Sequence, residues 1–339
     1  MKAVQLERLG VARLVDVAEP EPGRGDLIVR VSAAGMCGSD RHLVSGDYPA
    51  EPPVILGHEF EGEVVSSGAK TTTPVGARVT VDPNISCGRC RYCRLGLVAH
   101  CEHLTALGVD RDGGFAEYVC VPERQAYPLP ANLAPSLGAL TEPLSCCLRA
   151  LDHAGITPGQ SVAVIGGGVI GQLLVQLARL AGATQVVLAT RQHSRRVLAE
   201  SLGATASVDP SALDIGDAVA GKNGVVPGGV DIAFEAAGAP GTLRTAMDTV
   251  RAAGTVVVVG AAPQGMTSPI NPFEIFAREL RIQGSHLNPL THGRAAALVA
   301  SGALQLQPLV TRVIDLADVP GTLTRPAAHG EIKTLAVAG

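Results

Sequence analysis

The stretch Ser161-Val162-Ala163-Val164-Ile165-Gly166-Gly167-Gly168-Val169-Ile170-Gly171-Gln172-Leu173-Leu174 decides the fold. Its apolar run at 162–165 predicts a strand buried on both faces, and the helical spacing that follows predicts a helix to about residue 181. Between the two, Gly166 to Gly171 fits G-x-G-x-x-G, with Val169 and Ile170 in the last two variable places. Glycines in such a turn can serve strand–helix packing alone. Directly after a strand and at the head of a helix they do more. The backbone can approach a pyrophosphate, and the first amides of the helix satisfy the anion. The stretch therefore points to dinucleotide binding.

The same alternation continues downstream. A strand at 185–189, a helix at 194–202 and apolar strands at 230–234 and 255–259 predict a doubly wound parallel sheet. Upstream, short β-type runs at 27–31, 62–65, 77–81 and 115–121 are separated by turns, and beyond about 285 the pattern is mixed again. The predicted layout is an α/β domain (152–285) inserted into a β-rich domain (1–151 and 286–339). Two cores suit a chain of 339 residues. With 46% hydrophobic but only 3% aromatic residues and no Trp, those cores must be built from Ala, Val, Leu and Ile.

The end of the second strand bears on which dinucleotide is bound. An NAD-binding fold places Asp or Glu about 20 residues after the glycine turn, to hold the ribose 2′-hydroxyl. Here the chain reads Ala189-Thr190-Arg191-Gln192-His193-Ser194-Arg195-Arg196. No acid repels a 2′-phosphate, and three arginines stand near to pair with one. Arg196 fits equally well as decoration of a helix face. The strand end favours NADP(H) over NAD(H).

Charge and hydropathy exclude several classes. The net charge is −4 and the basic residues are dispersed, so Arg89, Arg91 and Arg94 read as a solvated loop and no nucleic-acid partner is expected. The first residues lack the apolar run of a signal peptide, and no stretch reaches the roughly 18 apolar residues that span a bilayer. The longest apolar helix candidate, 169–180, is interrupted by Gln172, Gln176 and Arg179. A soluble, cytoplasmic protein without a membrane partner is expected. In that setting the eight cysteines are thiolate ligands or core residues rather than disulfides.

Four of them, Cys87, Cys90, Cys93 and Cys101, form C-x2-C-x2-C-x7-C in a Gly- and Arg-rich segment. This spacing matches a closed tetrahedral thiolate site for structural zinc, an iron–sulfur cluster being the rival occupant. Cys120, Cys146 and Cys147 lack ligand spacing and read as small buried hydrophobes. A second, dispersed set comprises Cys37 in Cys37-Gly38-Ser39-Asp40-Arg41-His42, His58-Glu59 after Gly57, and Glu142 before Pro143-Leu144. Mixed sulfur, nitrogen and oxygen donors from distant segments are typical of a catalytic zinc with an open position.

Together these features resemble the zinc-dependent medium-chain dehydrogenase family, above all its sorbitol, threonine and secondary-alcohol dehydrogenase branches. The resemblance covers nearly the whole chain and includes Asp112-Gly113-Gly114-Phe115-Ala116-Glu117-Tyr118. It implies a GroES-like β-rich catalytic domain, with a structural-zinc lobe at 87–101, and a Rossmann domain. It also implies that Cys37 and His58 ligate a catalytic zinc, that Glu59 completes the site directly or in exchange with water, and that Glu142 binds the zinc or its water. Asp40 would orient a ligand, Ser39 would contact the alcohol oxygen, and His42 would pass the proton on through the cofactor ribose. His42 could also be a surface histidine at a cleft edge. Gly166, Gly168, Val169, Ile170, Gly171, Thr190, Arg191, Arg195, Gly260, Ala261 and Ser285 would contact the cofactor. A homodimer or homotetramer is the family's habit.

The expected activity is interconversion of an alcohol and its ketone, zinc acidifying the alcohol and a nicotinamide exchanging the hydride. Glu142 and the low aromatic content favour a polar secondary alcohol: a polyol, sugar, cyclitol or hydroxy-amino acid. The same chemistry with NAD(H), or a non-catalytic binding protein that kept the fold, are the alternatives. A short-chain dehydrogenase would need Tyr-x-x-x-Lys, which none of Tyr48, Tyr92, Tyr118 or Tyr127 begins. A zinc-free quinone reductase would lack both ligand sets.

Overall fold

The computed structural model describes residues 1–338. They form two compact units, one built from residues 1–145 and the chain from Asn288 onward, the other from Cys146–Leu287. The sequence pattern suggests seams at 151/152 and 285/286 instead. Helix Thr141–Ala154 runs straight through the first seam, and an unbroken helix gives the sequence no mark at 145.

In the second unit, β1 (Ser161–Ile165), α1 (Val169–Leu180), β2 (Gln185–Ala189), α2 (His193–Ser201), β3 (Ala206–Val208), β4 (Val230–Glu235), β5 (Val250–Val258) and β6 (Arg281–Gly284) follow in chain order. All six strands are parallel, in the order β3-β2-β1-β4-β5-β6. This is the doubly wound dinucleotide-binding order. Four of the five residues in β1 are buried, as a central parallel strand requires. Gln172 and Gln176, which look like polar breaks in α1, are buried too. Gln172 donates through Nε2 to Gly167 O at 3.3 Å and Arg195 O at 2.9 Å, tying the glycine turn to α2. The edge strands β3 and β6 carry Ser207, Arg281 and Gln283, so neither shows the apolar run that marks the inner four.

The first unit is built on a seven-stranded, mostly antiparallel sheet. Its central strand, Asp26–Gly35, pairs with Glu59–Ser67, with Tyr118–Pro122 and with the C-terminal strand Lys333–Val337. The C-terminal strand thus joins a sheet whose other members come mainly from the first 130 residues, while Lys2–Arg8 and Val11–Asp16 belong to a separate three-stranded sheet. Val29, Val31, Val64, Val79, Phe60 and Phe115 lie in its core. Aliphatic residues do fill the cores, and Phe60, Phe115 and Phe234 are the aromatics buried among them. At Gly35 the register sets Glu59 on one side and Leu335 on the other.

Candidate active site

Cys37 stands where the central strand gives way to helix Gly38–Ser45. Asp40, in the first turn, reaches back so that its Oδ2 accepts the Cys37 amide at 2.8 Å. Its other oxygen meets His58 Nδ1 at 3.1 Å, and Asp40 is fully buried. One carboxylate therefore fixes both the Cys37 backbone and the His58 ring, leaving Nε2 of His58 for a metal. Burial opposes a charge on His58, but Asp40 and then Cys37 outweigh it and hold its pKa well above the ordinary histidine value.

His58 is aimed by the turn before it. Gly57 has φ +94°, and a Cβ there would sit 2.7 Å from Phe115 N. Gly114 N donates to Gly57 O, Phe115 N to Leu56 O, and Ile55 N to Asp112 Oδ1, at 2.7, 2.9 and 2.9 Å. The Asp112-Gly113-Gly114-Phe115 segment is thus a bracket for the Gly57-His58 turn.

Cys37, His58 and Glu59 offer one ligand atom each within 4.8 Å of one another. One thiol, one imidazole held by a carboxylate and one carboxylate make a donor set that fits zinc with a position left open. Glu142 is not in the set within that distance. It lies buried in the first turn of helix Thr141–Ala154, where its charge acts on Lys333. Ser39 and His42 are three residues apart on one helix and so share a face. His42 is half-buried, with Nδ1 3.2 Å from Asp47 Oδ2 and its ring stacked on Tyr48 at 4.9 Å. Tyr48 had no signal in the sequence.

Cys87, Cys90, Cys93 and Cys101 likewise lie within 4.8 Å of one another. Backbone amides point at their sulfurs, Cys87 N to Cys101 Sγ at 3.2 Å and Cys90 N to Cys87 Sγ at 3.4 Å. The amides of Cys93 and Glu102 bring the Cys90 thiol down to about 6. Burial and the neighbouring thiols push Cys93 up to about 11, and four thiols gathered this closely, with amides aimed at their sulfurs, fit a closed zinc site. All eight cysteines are free thiols. Cys147 is buried, whereas Cys120 and Cys146 are only half-buried.

In the second unit the predicted cofactor residues gather at the carboxyl ends of the parallel strands, where such sheets bind ligands. The turn Gly166 to Gly168 ends β1, and Gly168 caps α1, which begins with Val169, Ile170 and Gly171. A Cβ on Gly171 would collide with Gly166 O, so this glycine serves close packing. Thr190 and Arg191 end β2, and Arg195 lies half-buried on α2. Gly260 and Ala261 follow β5, with Gly260 N donating to Glu235 O at 2.8 Å, and Ser285 follows β6. Arg191 is exposed. Arg196 instead donates to Thr190 O and Arg191 O at 2.7 and 2.9 Å and pairs with Asp209 at 2.9 Å. It props the loop, a role neither reading of the sequence assigned to it.

Comparison with known proteins agrees with this geometry. Residues 23–131 match the alcohol dehydrogenase GroES-like domain and residues 169–300 the zinc-binding dehydrogenase domain. L-threonine 3-dehydrogenase of Pyrococcus horikoshii is 36% identical over 310 residues, 88% of this chain and 87% of the relative. The chain belongs to the zinc-dependent medium-chain dehydrogenase family. A chain assigned as a zinc-binding dehydrogenase, from Sinorhizobium meliloti 1021 and bound to NADP, matches with a TM-score of 0.98 and 53% identity over 99% of this chain and 98% of its own. The 2R,3R-butanediol dehydrogenase of Bacillus subtilis matches at 0.89 and 31%, covering 100% and 99%. No helix among the described residues is long and apolar enough to cross a membrane.

This dehydrogenase holds one further charged residue beside its candidate metal group, which sequence reasoning missed. Lys333 is 1% exposed, pairs with Glu59, and donates to Met36 O at 3.0 Å. Burial works against its charge, yet Glu59, Cys37 and Glu142 together raise its pKa above the ordinary lysine value. Lys333 opens the last strand, remote from every ligand motif, so only the sheet register brings it to Glu59.

Proposed function

We propose that this dehydrogenase interconverts a polar secondary alcohol and its ketone, with NADP(H) as the hydride carrier and two zinc ions per chain. The observation that carries the cofactor reading is the end of β2. No acid stands there, the Thr190-Arg191 carbonyls are held from behind by Arg196, and Arg191 faces solvent with its guanidinium free of hydrogen bonds and ion pairs among the described residues. A guanidinium so placed suits a 2′-phosphate. The 53% identical relative was solved with NADP bound, which supports the same reading.

Zinc at Cys37, His58 and Glu59 would acidify a substrate hydroxyl, and the nicotinamide would exchange the hydride. The chain's own residues do the rest. Asp40 fixes the Cys37 backbone and the His58 tautomer. Ser39 would take the hydroxyl proton and pass its own to His42 on the same helix face, with His42 Nδ1 placed 3.2 Å from Asp47 Oδ2. The buried charges of Glu59, Glu142 and Lys333 make the neighbourhood of the metal group polar, which favours a substrate with further hydroxyl, amine or carboxylate groups. Threonine and 2,3-butanediol, named for two relatives, are secondary alcohols with a second polar group beside the reacting carbon.

A panel of polyols, sugars, cyclitols, hydroxy-amino acids and simple secondary alcohols, run with both cofactors, tests this. kcat/KM should favour NADP(H), and Arg191→Ala should lower it by about tenfold or more for NADP(H) alone. Equal loss with both cofactors would remove the 2′-phosphate reading. Turnover confined to simple apolar alcohols would remove the polar-substrate reading.

A further inference from the structure

The seat of Lys333 is built for it. Gly35 pairs with Glu59 in one neighbouring strand and with Leu335 in the other, so Glu59 and Lys333 converge over a residue that has no side chain. A Cβ on Gly35 would collide with Glu59 Oε2 and sit 2.9 Å from Lys333 Cε. Lys333 also holds the carbonyl of Met36, the residue before Cys37. Glu59 thus belongs to two groups at once. It offers an oxygen to the Cys37–His58 set and is ion-paired with a lysine that is 1% exposed.

We propose that Lys333 is a positioning residue that makes Glu59 a displaceable member of the metal group. The inference rests on the reading that Cys37, His58 and Glu59 hold the metal. A carboxylate shared with an ammonium donates less to a metal than one without a cation partner. When a substrate oxygen arrives, Glu59 can also leave the metal without becoming an uncompensated buried charge, because Lys333 receives it. Without Lys333, Glu59 loses its ion-pair partner and the metal is left to neutralise it. Glu59 then stays on it, and the open position closes.

The test uses the full chain with cobalt(II) in place of zinc and imidazole as the probe of the open position, read from the visible difference spectrum. A closed four-thiolate site does not respond to imidazole, so the spectrum reports the catalytic group. Lys333→Met should weaken imidazole binding by about tenfold or more, and Lys333→Arg should stay within about threefold of the parent. Lys333→Met with Glu59→Gln should restore the parent affinity or better, because the competing carboxylate is gone. If Lys333→Met does not fold, Lys333→Gln keeps a donor for Met36 and reads the same quantity.

Unchanged imidazole affinity in the neutral variant, with both metals bound, would overturn the role of Lys333, whatever happens to its thermal stability. So would a double variant as weak as the single one. Retention of both metals by Cys37→Ala would instead overturn the metal reading beneath the proposal.

Discussion

Asp40 carries two duties on one carboxylate, and this makes it the residue through which the candidate metal group is most exposed to change. Oδ2 accepts the Cys37 amide at 2.8 Å while Oδ1 holds His58 Nδ1 at 3.1 Å. Asp40→Asn keeps the shape but loses the charge, and one of its two polar atoms becomes a donor where an acceptor is needed. Partners of this kind typically govern metal affinity by about 10–100-fold. Competition with a chelator should therefore show the catalytic metal of Asp40→Asn released at correspondingly lower chelator concentration, with the four-cysteine metal unmoved. Equal release of both would mean that Asp40 supports the fold at large. The sequence already allowed Asp40 this role because it lies in the same short motif as Cys37. Lys333 and Tyr48 gave no such hint. Lys333 meets Glu59 only through strand pairing, and Tyr48 meets His42 through a turn that no spacing rule describes.

At the scale of elements, a buried polar network ties the strand that leads to the cysteine lobe to the helix that bears Glu142. Asp82 Oδ1 accepts from Asn84 N at 3.0 Å and from Asn288 Nδ2 at 3.2 Å, and Asn288 also donates to Ser145 Oγ at 2.9 Å. Ser145 Oγ in turn donates to Glu142 O at 2.6 Å. Burial raises the Asp82 pKa from 3.8 to about 6, against the pull of Asn84 and Asn288. The folded pKa therefore lies above the unfolded one. The stabilisation is complete below the unfolded value and is lost as pH rises through the folded value. Asp82→Asn imitates the protonated acid, so its stability relative to the parent should grow between about pH 4 and about pH 7, by at most about 3 kcal/mol. Urea unfolding of both proteins across that range measures it, and a constant difference would mean that Asp82 is ionised in the fold throughout. No part of this network was legible in the sequence, because Asn84, Ser145 and Asn288 are ordinary strand, helix and loop residues until packing removes water from them. The clustering of the cysteine lobe was legible for the opposite reason: its four thiols lie within 15 residues, so spacing alone points to them as one group.

For the whole molecule, the two compact units divide the candidate chemistry, with both metal groups in one and the glycine turn in the other. The alternation of strands and helices read directly from the sequence because parallel strands are buried on both faces and leave continuous apolar runs. The mixed pattern after about 285 did not reveal which strand the C-terminus joins, since antiparallel pairing depends on register rather than composition. Two separate ligand groups predict two metals per chain with unequal duties. Cys37→Ala should remove one metal and abolish turnover while leaving the unfolding transition nearly in place, because that group keeps an open position and braces little of the fold. Cys90→Ala should also remove one metal, but its main effect should be loss of stability or of soluble protein. The lobe holding Cys90 has few buried apolar residues to support it once its thiolates lose their cation. Metal analysis alongside thermal unfolding separates the two outcomes. If Cys37→Ala unfolded the chain and Cys90→Ala merely slowed it, the structural and chemical duties would have to be exchanged between the two groups.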